Sequence, residues 1–311
     1  MSTGPWCRRQ RRGGSHGTLL QQTCSPEWQV EFDQVETQSL SVNRNRRICR
    51  SFSLGKTPTN SASKVRTEDQ LLSAVCGGDV RKVRNILDGE KSPRDLLRAD
   101  ADGWTVIHEA SYYGKAECLK LLLTAVPDMI NSQTRKHQTP LILAVSREHF
   151  LCVEYLLEKG ADPKIPTVTN ETPLYEACAT SNVRMVHLLL RHGADVNQRC
   201  FDGWTALHES VSQDALEISC ATSNVRMVHL LLKHGADVNQ RCFDGWTALH
   251  ESVSQDALEI CELLVEHGAK IFSRNIYGVT PLFLAAQCGH LEVLHFLIHR
   301  GQFFTLKTSN T

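Results

Sequence analysis

The stretch that decides the fold is Asn170–Arg199, NETPLYEACATSNVRMVHLLLRHGADVNQR. Thr172 is placed to cap a helix by taking up a free backbone N–H, and Pro173 suits the first helical turn, where no N–H is needed. Leu174 and the small residues after it give a short helix one apolar face. Val186-His187-Leu188-Leu189-Leu190 then supplies the apolar row of a second helix, and Gly193 ends it in the left-handed conformation. The same signature recurs at Thr105, Thr139, Thr172, Thr205, Thr247 and Thr280, at spacings of 34, 33, 33, 42 and 33. Five units run on to a glycine (Gly160, Gly193, Gly235, Gly268 and Gly301), and Gly-Ala-Asp stands in three of them. A period of this length marks a repeat array. One such unit cannot bury its own apolar face, so stability has to come from stacking on neighbours.

The Thr-Pro-Leu fragments Thr139–Leu141, Thr172–Leu174 and Thr280–Leu282 resemble the ankyrin repeat most literally. The expected fold is therefore all-α: an ankyrin-repeat solenoid of helix pairs joined by β-hairpin loops. Repeats start near 101, 135, 168, 201, 243 and 276, within an ankyrin-repeat domain spanning 68–301. Upstream, Asp69–Gly89 reads as a degenerate first helix pair in a cap spanning 68–100, with Val80, Val83, Ile86 and Leu87 on one face and charge on the other. Residues 302–311 read as a short tail. Residues 1–67 show no period and are rich in Arg, Ser, Thr, Gln and Gly, the composition of a disordered N-terminal head.

One block is copied almost without change. Cys178–Ile218 recurs as Cys220–Ile260, with Arg191 against Lys233 as the single difference. Repeats must keep scaffold residues but need not keep exposed ones, so this is a recent copying event. The copied period of 42 exceeds the 33-residue unit by nine, and the excess has to be absorbed between Ser212 and Asn224. The stripe Leu207, Val211, Ala215 and Ile218, uninterrupted by Gly or Pro, predicts that the first helix runs on. The alternative is a second capped start at Asp214-Ala215-Leu216, with Thr205–Gln213 pushed out as a bulge.

Composition excludes several classes. Lys+Arg and Asp+Glu both number 34, so no overall field points to nucleic acid or a membrane surface. The balance is uneven, however. Residues 1–66 hold eleven Lys/Arg against four acids, which leaves the head at +7 and the rest at −7. The twelve cysteines are scattered without a Cys-x-x-Cys pair, which predicts free thiols in a reducing compartment, the cytoplasm or the nucleus. No apolar run approaches the ~18 residues of a membrane span. No constellation of nucleophile, base and orienting group, no phosphate loop and no zinc spacing is present, so neither an enzyme nor a cofactor or metal is expected.

The details around the repeats narrow the resemblance. Gly-Trp-Thr-x-Leu/Ile-His-Glu-Ala/Ser at Gly103–Ala110, Gly203–Ser210 and Gly245–Ser252, Glu171–Cys178 and Tyr277–Gln287 resemble the ankyrin-repeat and SOCS-box family. That resemblance implies the substrate- or partner-recognition part of an elongin–cullin–RING ubiquitin ligase. In the family a C-terminal box of about forty residues binds the elongin B–elongin C pair, which recruits a cullin. Gln302–Thr311 (QFFTLKTSNT) carries neither the Leu/Cys helix nor the Leu-Pro-x-Pro run of that box. The expectation is a truncated form, unable to recruit the ligase itself. The alternative is a stand-alone ankyrin scaffold or competitor that binds a partner without ubiquitination.

The resemblance also implies where a partner sits, on the hairpin tips and the exposed face of each first helix. Carried onto this sequence, those positions are Trp104, Tyr112 and Tyr113, then Arg135, Lys136 and Arg147. Further along come Arg199, Phe201, Asp202 and Trp204, their copies Arg241, Phe243, Asp244 and Trp246, and finally Ile276 and Tyr277. Trp, Tyr and Arg carry most interface energy. The competing reading is that the three tryptophans pack along neighbouring hairpins as scaffold. His108, His208 and His250 share one repeat position and read as scaffold. Asn197 and Asn239, eight residues after Leu189 and Leu231 in Leu-(x5)-Asp-Val-Asn, resemble sites of asparaginyl hydroxylation in ankyrin proteins. In the head, Arg46-Arg47-Ile48-Cys49-Arg50 precedes Ser51 and Ser53, a phosphorylation context, and Arg8–Arg12 reads either as a nuclear address or as a solvated basic run.

Overall fold

The computed structural model describes residues 67–89, 92, 94, 97–200, 202–212 and 218–308. The head, with Ser51, Ser53 and Arg8–Arg12, lies outside the described residues, as do Phe201 and Asp214-Ala215-Leu216. Among the described residues there are seven helix pairs. They are α1 (Thr67–Gly77) with α2 (Val80–Leu87), α3 (Val106–Tyr112) with α4 (Ala116–Ala125), α5 (Pro140–Ser146) with α6 (Phe150–Glu158), and α7 (Pro173–Ala179) with α8 (Val183–Arg191). They continue with α9 (Ala206–Val211) and α10 (Ile218–Lys233), α11 (Ala248–Ser254) and α12 (Leu258–Glu266), and α13 (Pro281–Cys288) and α14 (Leu291–Thr308).

The caps work as the sequence requires. The Thr139 side chain accepts from the Ile142 N–H at 3.3 Å, Thr172 from Tyr175 at 3.1 Å and Thr280 from Phe283 at 3.2 Å. From one pair to the next, first helices stack on first helices and second helices on second helices, in two unbroken rows from α1 to α13 and from α2 to α14. Between the rows lies one continuous core, with Leu141, Leu174, Leu207 and Leu249 in equivalent buried positions.

Two expectations about helix ends are corrected. The first helix of the out-of-phase unit does not run on. It stops at Val211, where the Ser212 N–H bonds back to the His208 carbonyl. Seven of the nine extra residues go into the second helix, and α10 has 16 residues where its copy α8 has nine. The physical reason is register. Lengthening α10 at its start leaves Met227, Val228, Leu231 and Leu232 buried, as Met185, Val186, Leu189 and Leu190 are in α8. The cost falls on Asn224. In the first copy the equivalent Asn182 caps α8, its side chain accepting from the Met185 N–H at 3.1 Å. Asn224 lies inside α10, buried, and its Oδ1 accepts no hydrogen bond. The second correction concerns Gly301 and the expected tail. α14 passes through Gly301 to Thr308, because no Ala-Asp hairpin sequence follows that glycine to draw the chain away.

Candidate partner-binding surface

The hairpins that follow each second helix present the surface. They are too short for a ladder, and among the described residues no β-strand forms. Each is closed by two internal backbone bonds, the outer one running from the Asp100 N–H to the Trp104 carbonyl, Thr134 to Gln138, Thr167 to Glu171, Cys200 to Trp204, Cys242 to Trp246 and Asn275 to Val279. The turn needs a positive φ at one position, filled by Gly103, His137, Asn170, Gly203, Gly245 and Gly278. At Gly203 the demand is double, since a Cβ there would come within 3.0 Å of the Phe243 ring. Neighbouring hairpins are tied tip to tip. Arg135 donates its backbone N–H to the Asp102 carbonyl at 2.7 Å, Val168 to Lys136 at 3.2 Å, Phe243 to Asp202 at 3.2 Å and Ile276 to Asp244 at 3.0 Å.

That register brings Val168, Phe243 and Ile276 into one row at the tips, 57%, 68% and 60% exposed. Val168 was not among the residues predicted from sequence, although its place in the repeat period marks it. Phe283 on α13 was missed too, and it is exposed where its equivalents His108, Ile142, Tyr175, His208 and His250 are buried. Arg135, Lys136, Arg199, Arg241 and Tyr277 are exposed as expected, and Asp202 and Asp244 are half-buried. Arg241 also donates to the Arg274 carbonyl at 2.5 Å, across to the next hairpin.

At the other end, Trp104, Tyr112, Tyr113 and Arg147 form one cluster. Trp104 meets Tyr112 edge-on at 5.9 Å, and Tyr112 meets Tyr113 edge-on at 5.1 Å. The Arg147 guanidinium lies 4.2 Å over the Tyr112 ring and donates to the Tyr112 hydroxyl. Cation–π contact of this kind holds a side chain in place. It leaves Tyr113 as the exposed aromatic of the cluster.

Trp204 departs from the expectation. It is buried in a small cluster with Tyr175, Cys200 and Cys242, and half-buried Trp246 packs against it. It braces adjoining hairpins and offers no face to a partner. Beside it the Tyr175 hydroxyl donates to buried Glu209 Oε2 at 2.6 Å, and Trp246 Nε1 donates to Glu251 Oε2 at 2.9 Å. Each pairing gives a buried carboxylate a donor, without which its burial would be costly.

The histidines form a second bracing system. His108 Nδ1 accepts the Thr105 backbone N–H at 3.2 Å, and its Nε2 donates to the Ser132 carbonyl at 3.1 Å. His250 makes the same pair of bonds, to the Thr247 N–H at 3.2 Å and the Val279 carbonyl at 3.1 Å. Each ring thus ties a helix start to the following hairpin, and burial pushes both pKa values down to about 4. Burial also pushes the Cys152 and Cys261 thiols up, to about 11 and about 12, so both stay protonated and serve as packing.

Asn197 and Asn239 clamp successive hairpins. Asn197 Oδ1 accepts the Asp237 N–H at 2.8 Å while its Nδ2 donates to the Gly235 carbonyl at 3.0 Å. Asn239 repeats this with the Lys270 N–H at 2.9 Å and the Gly268 carbonyl at 3.0 Å.

The profile of the ankyrin repeats (3 copies) matches residues 71–167, 163–221 and 216–308. The chain belongs to the ankyrin-repeat family, whose fold is typically an interaction module rather than a catalytic one. Among curated relatives, ankyrin repeat and SOCS box protein 2 of Rattus norvegicus is 38% identical over 103 residues, 33% of this chain and 16% of the relative. Ankyrin repeat and SOCS box protein 3 of Bos taurus is 37% identical over 144 residues, 45% of this chain and 27% of the relative. The B-cell lymphoma 3 protein homolog of Mus musculus is 31% identical over 176 residues, 55% of this chain and 38% of the relative. The chain therefore spans well under half the length of these relatives. Among solved structures, an ankyrin repeat domain from Acinetobacter baumannii AYE is similar with a TM-score of 0.59 at 27% identity, covering 65% of this chain and 100% of that one. Among the described residues no helix is long and apolar enough to cross a membrane.

Proposed function

We propose that this chain is a protein-recognition module that holds its partner along the hairpin tips and the Tyr113 end of the first-helix row. The observation that carries this is the row of exposed apolar side chains in one register, Val168, Phe243 and Ile276, flanked by Arg135, Arg199 and Arg241. Scattered exposed hydrophobes are ordinary, but a periodic row rimmed by guanidinium groups has the composition of an interface. By resemblance, the module is the substrate-recognition part of an elongin–cullin–RING ubiquitin ligase acting in the cytoplasm or nucleus. Similarity to two SOCS-box proteins supports that reading.

A second reading, a stand-alone scaffold or competitor, is favoured by a specific observation. The similarity to the B-cell lymphoma 3 homolog runs over more of this chain than the two SOCS-box matches just described. A pull-down of the full chain with the elongin B–elongin C pair separates the two. Stoichiometric capture supports the ligase role. No capture, with a cellular partner retained and then lost on Tyr113→Ala with Phe243→Ala, supports the scaffold. Retention of every partner by that double variant would overturn the assignment of the surface.

A further inference from the structure

A groove of about 780 Å³ crosses the second-helix row, where α8, α10 and α12 lie side by side. Its charges are segregated. Arg184 and His187 come from α8, and Arg226 and His229 occupy the equivalent positions of α10, because the duplication copied the sequence Val-Arg-Met-Val-His onto both helices. The next helix, α12, carries Glu259 and Glu262 at those two positions, acid where the two copies have arginine and histidine, and adds Glu266 one turn on. Between the walls the floor is apolar, with half-buried Val225 and Leu263.

Opposite charges this close on neighbouring helices could pair with each other, yet they do not. Among the described residues, Arg226, Glu259, Glu262 and Glu266 take part in no ion pair, and Arg184 instead lies 3.7 Å over the Phe150 ring. All five charged side chains are exposed. A purely acidic or purely basic partner segment would satisfy one wall and be repelled by the other. A surface with its two signs on opposite sides of an apolar strip is matched by the same surface turned through a half-rotation. Isologous contacts have this property, since residue i meets j and j meets i.

We infer that this face is a self-association surface, on which a second copy of the chain docks about a two-fold axis between α10 and α12, Arg226 of each copy meeting Glu259 and Glu262 of the other. The face belongs to the second-helix row and the hairpin tips to the loops, so the two proposals stand or fall separately.

Sedimentation equilibrium of the full chain tests it. The parent dimerises, and the dimer weakens when salt is raised from about 0.15 M to about 1 M, which shortens the Debye length from about 8 Å to about 3 Å. R226E places acid against acid, and E259R/E262R places base against base. Each loses self-association by about a hundredfold, the scale of like-charge juxtaposition. The second variant changes a different helix, so it remains informative if the first unsettles α10. Mixed in equal amounts, the two variants restore a dimer, because the new glutamate of one then faces the new arginines of the other. A monomeric parent, association untouched by charge reversal, or a mixture that stays monomeric would each overturn the inference.

Discussion

Asn182 and Asn224 occupy the same position in two copies of one sequence, yet the fold uses them in opposite ways, and Asn→Leu at each site measures the difference. At Asn182 the side chain accepts the Met185 N–H at 3.1 Å and caps α8. Losing such a cap costs about 1 kcal/mol. At Asn224 the residue is 2% exposed, and Oδ1 accepts nothing within α10. Leucine keeps the branched outline of asparagine and removes a buried carbonyl whose desolvation costs about 1–3 kcal/mol. It also gains about 0.5 kcal/mol in helix propensity. N182L is therefore expected to lower stability by about 1 kcal/mol and N224L to raise it by about 2 kcal/mol. In a domain of this size each kcal/mol moves the melting temperature by about 2–4 °C. Urea titration followed by circular dichroism, with hydrogen exchange to locate any partial opening of the array, supplies both numbers. Equal losses at the two sites would refute the reasoning. They would mean that Asn224 caps a helix starting at Val225, and that α10 is not continuous.

Three further outcomes follow from the geometry. His108 and His250 have folded pKa values of about 4 against 6.5 when free, so between those limits the unfolded chain binds protons that the native one does not. Their contribution is fully present above about pH 6.5 and falls away toward about pH 4. Between about pH 7 and about pH 5 the loss is about 2 kcal/mol for each ring. Urea midpoints measured across that range should show it, and an H108Q/H250Q variant with the same slope as the parent would sink the account. Trp204→Ala is expected to destabilise by about 3–5 kcal/mol as a cavity mutation, whereas Phe243→Ala at the exposed tip stays within about 0.5 kcal/mol. A reversal in thermal denaturation would mean the two residues have been assigned the wrong roles. Co-expression with an asparaginyl hydroxylase should add oxygen to Asn239 to a greater extent than to Asn197, because Asn239 directly follows the out-of-phase unit and local opening costs less in a loosely held repeat. Mass spectrometry showing no added oxygen, or the reverse order, would reject the site or its link to stability.

The repeat architecture was legible in the residues alone. Thr172, Pro173, Leu174 and Gly193 act through local chemistry, by capping, by a fixed φ and by a left-handed turn, and their recurrence at a 33-residue spacing needs no tertiary information. The fate of the nine extra residues was not legible. Leu207, Val211, Ala215 and Ile218 make an apolar stripe that fits a longer first helix, and only the demand that Met227 and Leu231 keep their places in the second-helix row sends most of the excess into α10. The tryptophans show the same limit. Trp204 and Trp246 have identical local sequences, but one is buried and the other half-buried, because burial depends on the hairpin packed alongside. The groove walls, likewise, come from Arg184 and Glu259, far apart in the chain and joined only by stacking. Sequence determined each unit because a cap or a turn is a contact among near neighbours. The structure decided what the units expose together, because exposure is a property of the neighbour that covers a side chain, and local sequence carries no record of that neighbour.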